Sequence, residues 1–557
     1  MLPARWLYGA RPYVLLVGLC LLLYLPGIST IPALDRDEAR FAQATRQMLE
    51  TGDFLRIRFQ DEARNKKPAG IYWLQAASVA LFSNAEATAI WPYRIPSLLG
   101  GTAAAVLTFA VGGALFRHDT EPIVSRRIGA TAAILLASAI GVAVEAHIAK
   151  SDAALLAAIT AGQGALGLAY VRNRTGRDVP GWIAVAFWGA EIAAIFLKGP
   201  PGPGLAALTA ATLSIADGNA GWLRRLRPVV GIVVMILAIV PWLLAIQYAT
   251  EGQFLSDSLG HDLLMKLVDA QESHGAPPFS YLLMAMMTFW PGSLLLVPAV
   301  SRAWRRHEAP AERFLLAWLI PAWVLLELVP TKLPHYVLPL YPALALLAAA
   351  AWRGGVVLRP TVWEARAERA TRGLWIVASI GLAVLLVGLP LRFGGRLVPA
   401  GLFGAIVLLW LATVLMRWRH TPDRAIALVP ALSFTFIVSA ALGVLPGIDQ
   451  IWLSRAAAAM VAAHPPATGK PLVAVGYSEP SLVFMLGTDL RLTTPRGAAE
   501  TLAEGGEALV SSREEPLFRQ AMNARGLNVE PVSNAPGTDY SNGQRMVLTL
   551  YAVTPAN

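Results

Sequence analysis

The 557-residue chain is 55% hydrophobic and only 15% charged, with a mean hydropathy of +0.52, which is too apolar for a water-soluble globular protein. Its net charge of +10 would suit a nucleic-acid binder, but the basic residues fall in short clusters between apolar runs, as the loops of a membrane protein do, so no nucleic-acid partner is expected. One cysteine, Cys20, lies inside an apolar run, which excludes an intramolecular disulfide framework and leaves any chemistry to carboxylates, His, Lys, Arg or Tyr.

Arg5 and Arg11 precede the first apolar stretch, and no small-x-small cleavage signal follows it, so it reads as a retained span entering from the cytoplasm. Crossing roughly 30 Å of hydrocarbon takes about 20 residues of helix. Segments of that kind lie at 12–28, 93–116, 126–147, 153–171, 181–197, 201–217, 229–249, 279–300, 312–329, 335–352, 373–391, 397–416 and 425–445. This predicts an all-α polytopic membrane protein of about thirteen transmembrane helices over residues 1–445. With the N-terminus inside, every inner loop is basic, including Arg117, Arg126 and Arg127, then Arg172, Arg174 and Arg177, whereas most outer loops hold few cations.

Residues 30–92 form the first outer loop, and their stretch 34–73 breaks the rule. It carries Asp35, Asp37, Glu38, Arg40, Arg46, Arg56, Arg58, Arg64, Lys66 and Lys67 on the outer face. A phosphorylated partner on that side would explain such cations; the plainer alternative is a solvated loop with balanced charges. Within it, residues 38–50 and 68–83 predict two helices lying in the membrane interface. The first has Phe41, Ala44, Met48 and Leu49 on one face and Arg40, Gln43 and Gln47 on another; the second holds Tyr72 and Trp73 at headgroup level. A second large outer loop covers 250–279. From 446 to 557 short apolar segments at 472–477, 481–486, 508–512 and 545–553 alternate with a helix-like 514–526, predicting a small soluble α/β domain outside the membrane.

Under this topology four clusters share the outer side: Asp37-Glu38 with Arg40, Lys66-Lys67-Pro68, Glu145 through Asp152 with His147 and Lys150, and Lys332 with His335 and Tyr336. Ionisable groups at membrane depth cost several kcal/mol unless partnered, which makes them functional candidates. Bland roles exist for each. Asp37 and Asp152 could cap helices, the lysines could snorkel, and Tyr336 could belong to an aromatic belt.

The order of these features resembles the GT-C membrane glycosyltransferases: a DE pair (Asp37, Glu38) followed by Arg40, the K-P…YW stretch (Lys67, Pro68, Tyr72, Trp73), the Asp at the third span end (Asp152), FLKGP (Lys198) and KLPHYVLP from Lys332 to Pro339. Within that class the chain is most similar to the bacterial 4-amino-4-deoxy-L-arabinose lipid A transferases, relatives of protein O-mannosyltransferases. The resemblance implies a sugar donor on undecaprenyl phosphate, a lipid A phosphate as acceptor, an inner-membrane location with site and C-terminal domain periplasmic, and resistance to polymyxin and cationic peptides. Asp37, Asp152 and Glu38 are then the catalytic candidates. Lys67, Arg58, Lys266, Arg40 and Lys66 are candidates for the donor phosphate, and Tyr72, Lys332, Tyr336, His335 and Lys198 for substrate contacts. Relatives often have an acidic residue where Lys66 stands here, which leaves open which of the two lysines meets phosphate.

No cofactor is required on this reading, although His261, Glu272 and His274 in the loop 250–279 could hold a zinc ion. The protein is expected to act as a monomer. The alternatives are transfer of another lipid-linked sugar to a protein hydroxyl, and a lipid-linked anion flippase, to which the Gly-Pro-rich 197–204 lends some support.

Overall fold

The computed structural model describes residues 4–84, 87–258, 277–354 and 360–555. Lys266, His261, Glu272 and His274 lie outside these residues. The first helices are α1 (Arg11–Tyr24), α2 (Asp37–Thr51), α3 (Gly70–Phe82), α4 (Trp91–Leu115), α5 (Pro122–Ala137), α6 (Ile140–Ala146), α7 (Asp152–Arg174), α8 (Gly181–Lys198), α9 (Pro201–Asp217) and α10 (Pro228–Ala249). Further helices follow, of which Val362–Phe393 is the longest at 32 residues.

Among the described residues eight helices are long and apolar enough to cross a membrane, or ten if each of two bent pairs counts as one span. The chain is a multi-pass membrane protein. Three of the thirteen expected spans fall short on their own. The helices α1 and α9 have 14 and 17 residues, and Pro310–Leu328 carries Glu312, Arg313 and Glu327. Two others are broken rather than continuous: α5 and α6 meet at 63°, and Ser280–Thr288 meets Gly292–Arg305 at 120°. The breaks support each other, because the Ile140 N–H freed by the first donates to the Trp290 carbonyl in the second at 3.0 Å.

Small residues let the spans pack closely. A Cβ on Gly129 would lie 2.4 Å from the Phe109 carbonyl oxygen, and one on Gly100 would lie 2.5 Å from the Ala154 backbone nitrogen. The second contact seats α4 against the start of α7, where Asp152 sits.

Both expected outer-loop helices are present, as α2 and α3, but α2 does not lie in the interface with one wet face. Glu38, Gln43, Thr45, Arg46 and Gln47 are buried along with its apolar residues. The C-terminal unit covers the polar face. Gln43 donates to the Thr488 hydroxyl at 2.7 Å, Arg46 to the Phe484 carbonyl at 3.1 Å, and Thr488 to Glu50 at 2.8 Å. On α3 the outward face, Leu74, Leu81 and Phe82, is exposed and apolar, as an interfacial helix requires. Tyr72 is not at headgroup level: it is fully buried and stacked on Phe41 at 5.2 Å.

The C-terminal unit is a five-stranded mixed sheet with helices. Its strands, numbered after the small hairpin β1 (Arg58–Phe59) and β2 (Glu62–Ala63), are β3 (Leu472–Val475), β4 (Arg491–Thr493), β5 (Gly506–Ser511), β6 (Leu527–Asp539) and β7 (Gln544–Pro555), in the order β4-β3-β5-β7-β6. β3 runs parallel to β4 and β5, and β7 runs antiparallel to β5 and β6. The segment 481–486 is a helix, Pro480–Leu486, and its Phe484 packs edge-on against Tyr93 of the bundle at 5.4 Å.

Candidate active site

The long helices bring the candidate clusters to one end of the bundle. Asp152 opens α7 and Lys198 closes α8, where Gly199 at φ 82° stops the helix. An acid in the first turn and a base in the last turn both suit the helix dipole. Lys198 donates to Asp152 Oδ1 in a short, buried contact, and Lys150 Nζ lies 3.7 Å from Asp152 Oδ2 and 3.2 Å from Glu145 Oε1. Burial alone would discharge Lys150, but Glu145, Asp152 and Asp37 outweigh it and hold the ammonium firmly protonated. Lys198 also sits 5.5 Å from the Tyr336 ring centre, and His335 meets the same ring edge-on at 4.9 Å.

Of these groups, Asp152, Lys198, His335 and Tyr336 line a cavity of about 410 Å³, with Lys150 and Glu145 behind Asp152. Lys66, Lys67 and Pro68 form its rim. An apolar wall adds Ile239, Trp242, Leu243, Phe254 and Leu326 to the lining. Trp242 packs against both Phe196 and Phe254, with ring centres 5.5 and 5.4 Å apart, so this wall is braced. A space that joins a cationic end to a greasy slot suits a molecule with an anionic head and a hydrocarbon tail.

Of the candidates read from the sequence, Asp152, Lys198, Lys66, Lys67, His335 and Tyr336 line this cavity. Asp37 is exposed at the start of α2, near enough to Lys150 to act on it electrostatically. Glu38 has a different place. It is 1% exposed and pairs with Arg94 through both oxygens at 2.8 and 2.9 Å, while accepting from the Leu34 and Ala149 backbone N–H groups at 2.8 Å each. Arg94 is fully buried and spends its remaining donors on the Ile28, Ile31 and Pro32 carbonyls. The pair welds the outer loop to α4 and to the turn before Lys150. Arg40 lies by the C-terminal unit, near Glu479. Arg58 is exposed on the β1–β2 hairpin, and the Tyr72 hydroxyl accepts from Arg64 at 3.3 Å. Lys332 is buried and donates to the Val329 carbonyl at 2.9 Å. Among the described residues no three His, Cys, Asp or Glu side chains gather as metal ligands.

Sequence reasoning missed the apolar wall and Arg94. An arginine one position inside an otherwise apolar span is the one signal that could have marked the latter.

No family model matches the chain. Curated proteins named undecaprenyl phosphate-alpha-4-amino-4-deoxy-L-arabinose arabinosyl transferase are similar in sequence. The Pseudomonas paraeruginosa protein is 26% identical over 80% of this chain and 77% of its own length. A Pseudomonas fluorescens relative is 27% identical over 58% of this chain and 57% of its own length. The crystal structure of ArnT from Cupriavidus metallidurans bound to undecaprenyl phosphate superposes with a TM-score of 0.74 at 19% identity, covering 97% of this chain and 98% of that one. The chain has the ArnT fold. The oligosaccharyltransferase of Archaeoglobus fulgidus is more distant, with a TM-score of 0.52 over 95% of this chain and 70% of its own, at 12% identity. The resemblance drawn from the motifs thus has a counterpart in both sequence and architecture, and the ArnT fold includes the C-terminal sheet as well as the bundle.

Proposed function

We propose that the protein transfers 4-amino-4-deoxy-L-arabinose from undecaprenyl phosphate to a phosphate of lipid A, at the periplasmic face of the inner membrane, and so confers resistance to polymyxin and cationic peptides. One observation carries this reading: the cavity joins a cluster of lysines around Asp152 to an apolar slot at a single end of the bundle. The names of the relatives, and the undecaprenyl phosphate bound to the protein of like fold, support the same donor.

The geometry suits the chemistry. The prenyl chain lies along Trp242, Phe254 and Leu326, and the phosphate meets Lys66, Lys67 and Lys198. An acceptor phosphate oxygen attacks C1 of the sugar as the bond from C1 to the donor phosphate oxygen breaks, and the electron pair leaves with undecaprenyl phosphate. Cations held in a poorly hydrated cavity stabilise that growing charge. A lipid A phosphate is already ionised, so no strong base is needed. Asp152, fixed by Lys198 and Lys150, is placed to hold the amine of the sugar, with Asp37 at the mouth to orient the acceptor. Glu38 acts by holding the loop rather than by touching substrate.

Mass spectrometry of lipid A from cells expressing the protein tests this. Wild type should add aminoarabinose, while Asp152→Asn and Lys198→Ala should each abolish the addition with the protein still inserted. Unchanged lipid A in the wild-type cells, together with sugar on protein hydroxyls, would sink the assignment in favour of a protein glycosyltransferase.

A further inference from the structure

The far end of the bundle holds a second cavity, of about 270 Å³, that the transfer reaction does not use. The helix α7 runs from Asp152 to Arg174, roughly 33 Å at 1.5 Å per residue, so the two cavities lie near opposite membrane surfaces. Four arginines line it, Arg117, Arg126, Arg172 and Arg177, and none of its lining residues is acidic.

A surplus of arginine on one side is ordinary for a membrane protein. What sets these four apart is that they converge on one cavity whose lining holds no acid, while acids at this end of the bundle are committed to other arginines. Arg174 and Arg313 both pair with Asp217 at 2.7 Å, and Arg302 and Arg306 pair with Glu312 at 3.3 and 3.0 Å. Asp119, the nearest acid in sequence to Arg117, is turned to Arg306 at 3.8 Å. Among the described residues none of the four lining arginines has a carboxylate partner. Arg126 donates to the Leu7 carbonyl at 2.8 Å and lies over the Tyr8 ring at 4.6 Å, and Arg172 donates to the Asp178 carbonyl at 2.5 Å, so these two guanidinium groups are held in place. The side chains of Arg117 and Arg177 have no hydrogen-bond or ion-pair partner among the described residues.

The surroundings suit a lipid. Phe109, Leu168 and Val171 make an apolar floor. Tyr8 and Tyr13 stand at the mouth, 42% and 38% exposed, as aromatic residues do at the headgroup level. One turn on from Tyr13 along α1, on the same face, Val17 is exposed, which gives the start of an acyl chain an apolar surface beside the mouth. We propose that this cavity binds the phosphate of an anionic phospholipid headgroup, in the leaflet opposite the transfer site.

The test uses the full-length protein in a non-ionic detergent, with retained lipid read by native mass spectrometry. Phosphatidylglycerol should be held, phosphatidylcholine should not, and inorganic phosphate in large excess should fail to displace the lipid. The triple variant Arg117→Gln, Arg172→Gln, Arg177→Gln should lose phosphatidylglycerol by at least about tenfold, since each surface arginine is worth roughly a fivefold factor towards an anionic lipid. Retention equal to wild type in a variant that melts at the wild-type temperature would overturn the site. Displacement by phosphate alone would make the ligand a free anion, and equal retention of phosphatidylcholine would make it an unselective lipid shell; either result overturns the proposal. Should the triple variant fail to fold, Arg177→Gln, which changes a loop residue outside the helices, should by itself lower retention about fivefold.

Discussion

Glu38 and Asp37 are neighbours in sequence with opposite fates, and the difference sets what each substitution should do. Glu38 accepts four hydrogen bonds in a dry cluster around Arg94, so Glu38→Gln or Arg94→Met leaves a buried charge unpaired, which costs about 3–5 kcal/mol. Thermal unfolding in detergent should show either variant far less stable than wild type. Lys67→Ala at the cavity rim should melt like wild type and lose transfer alone. Asp37→Asn should do the same, because its side chain is exposed. The sequence displayed both acids as one motif, and nothing in it could tell them apart. The distinction is made by Arg94, 56 positions from Glu38, whose approach depends on the packing of α4. Residues at helix ends were the more legible ones. Asp152 and Lys198 each mark a boundary between an apolar run and a turn, and the helices bring such boundaries to one level.

Between elements, two contacts govern how the site holds its shape. A side chain at position 100 would strike the backbone of α7 beside Asp152, so Gly100→Val should displace the start of that helix. Transfer should fall steeply in this variant, with the donor still bound, when both are measured on reconstituted protein. The second contact joins the outer loop to the C-terminal unit. Burial, with Glu479 and Asp539 close by, pushes the Asp35 carboxyl up to about 7 even though the Ser481 hydroxyl donates to it. The Tyr540 hydroxyl accepts from the Asp35 backbone N–H at 2.6 Å, and Arg36 donates to the Ser541 carbonyl at 2.7 Å. A free aspartate titrates near 4, so between about 4 and 7 the docked form binds the extra proton and docking gains from it. That gain is complete at acid pH and is lost as pH rises through 7. Protection of the α2 amides from hydrogen exchange should therefore fall between about pH 4 and about pH 7, and Asp35→Asn should flatten the change.

At the scale of the molecule, the separation of the two charged ends is what hydropathy and arginine placement made legible. The span count was less so. The break at 138–139 carries little sequence warning, because the freed Ile140 N–H finds the distant Trp290 carbonyl rather than a local capping residue, whereas the break near 290 is marked by Pro291-Gly292. The α/β character of the tail was readable from its alternating segments, but its seat against α2 was not, since Gln43, Arg46 and Gln60 look like ordinary surface residues. The orientation can be tested with the natural cysteine left in place, because Cys20 is fully buried. Cysteines introduced at Lys66 and at Arg177 should react with membrane-impermeant reagents from opposite compartments, Lys66→Cys from the periplasm. Reaction of both from one side would break the proposed topology.

The way the tail grips α2 has a consequence for how such chains can evolve. Gln60 donates to the Thr488 and Leu490 carbonyls at 3.1 and 2.5 Å, so the hairpin, the helix and the sheet form one splint across the mouth of the bundle. A descendant that shed its last hundred or so residues would strip that splint and leave amides and a guanidinium facing nothing. It would have to rewrite α2 with a surface fit for open water, or recruit a separate polypeptide to stand where the sheet stands now.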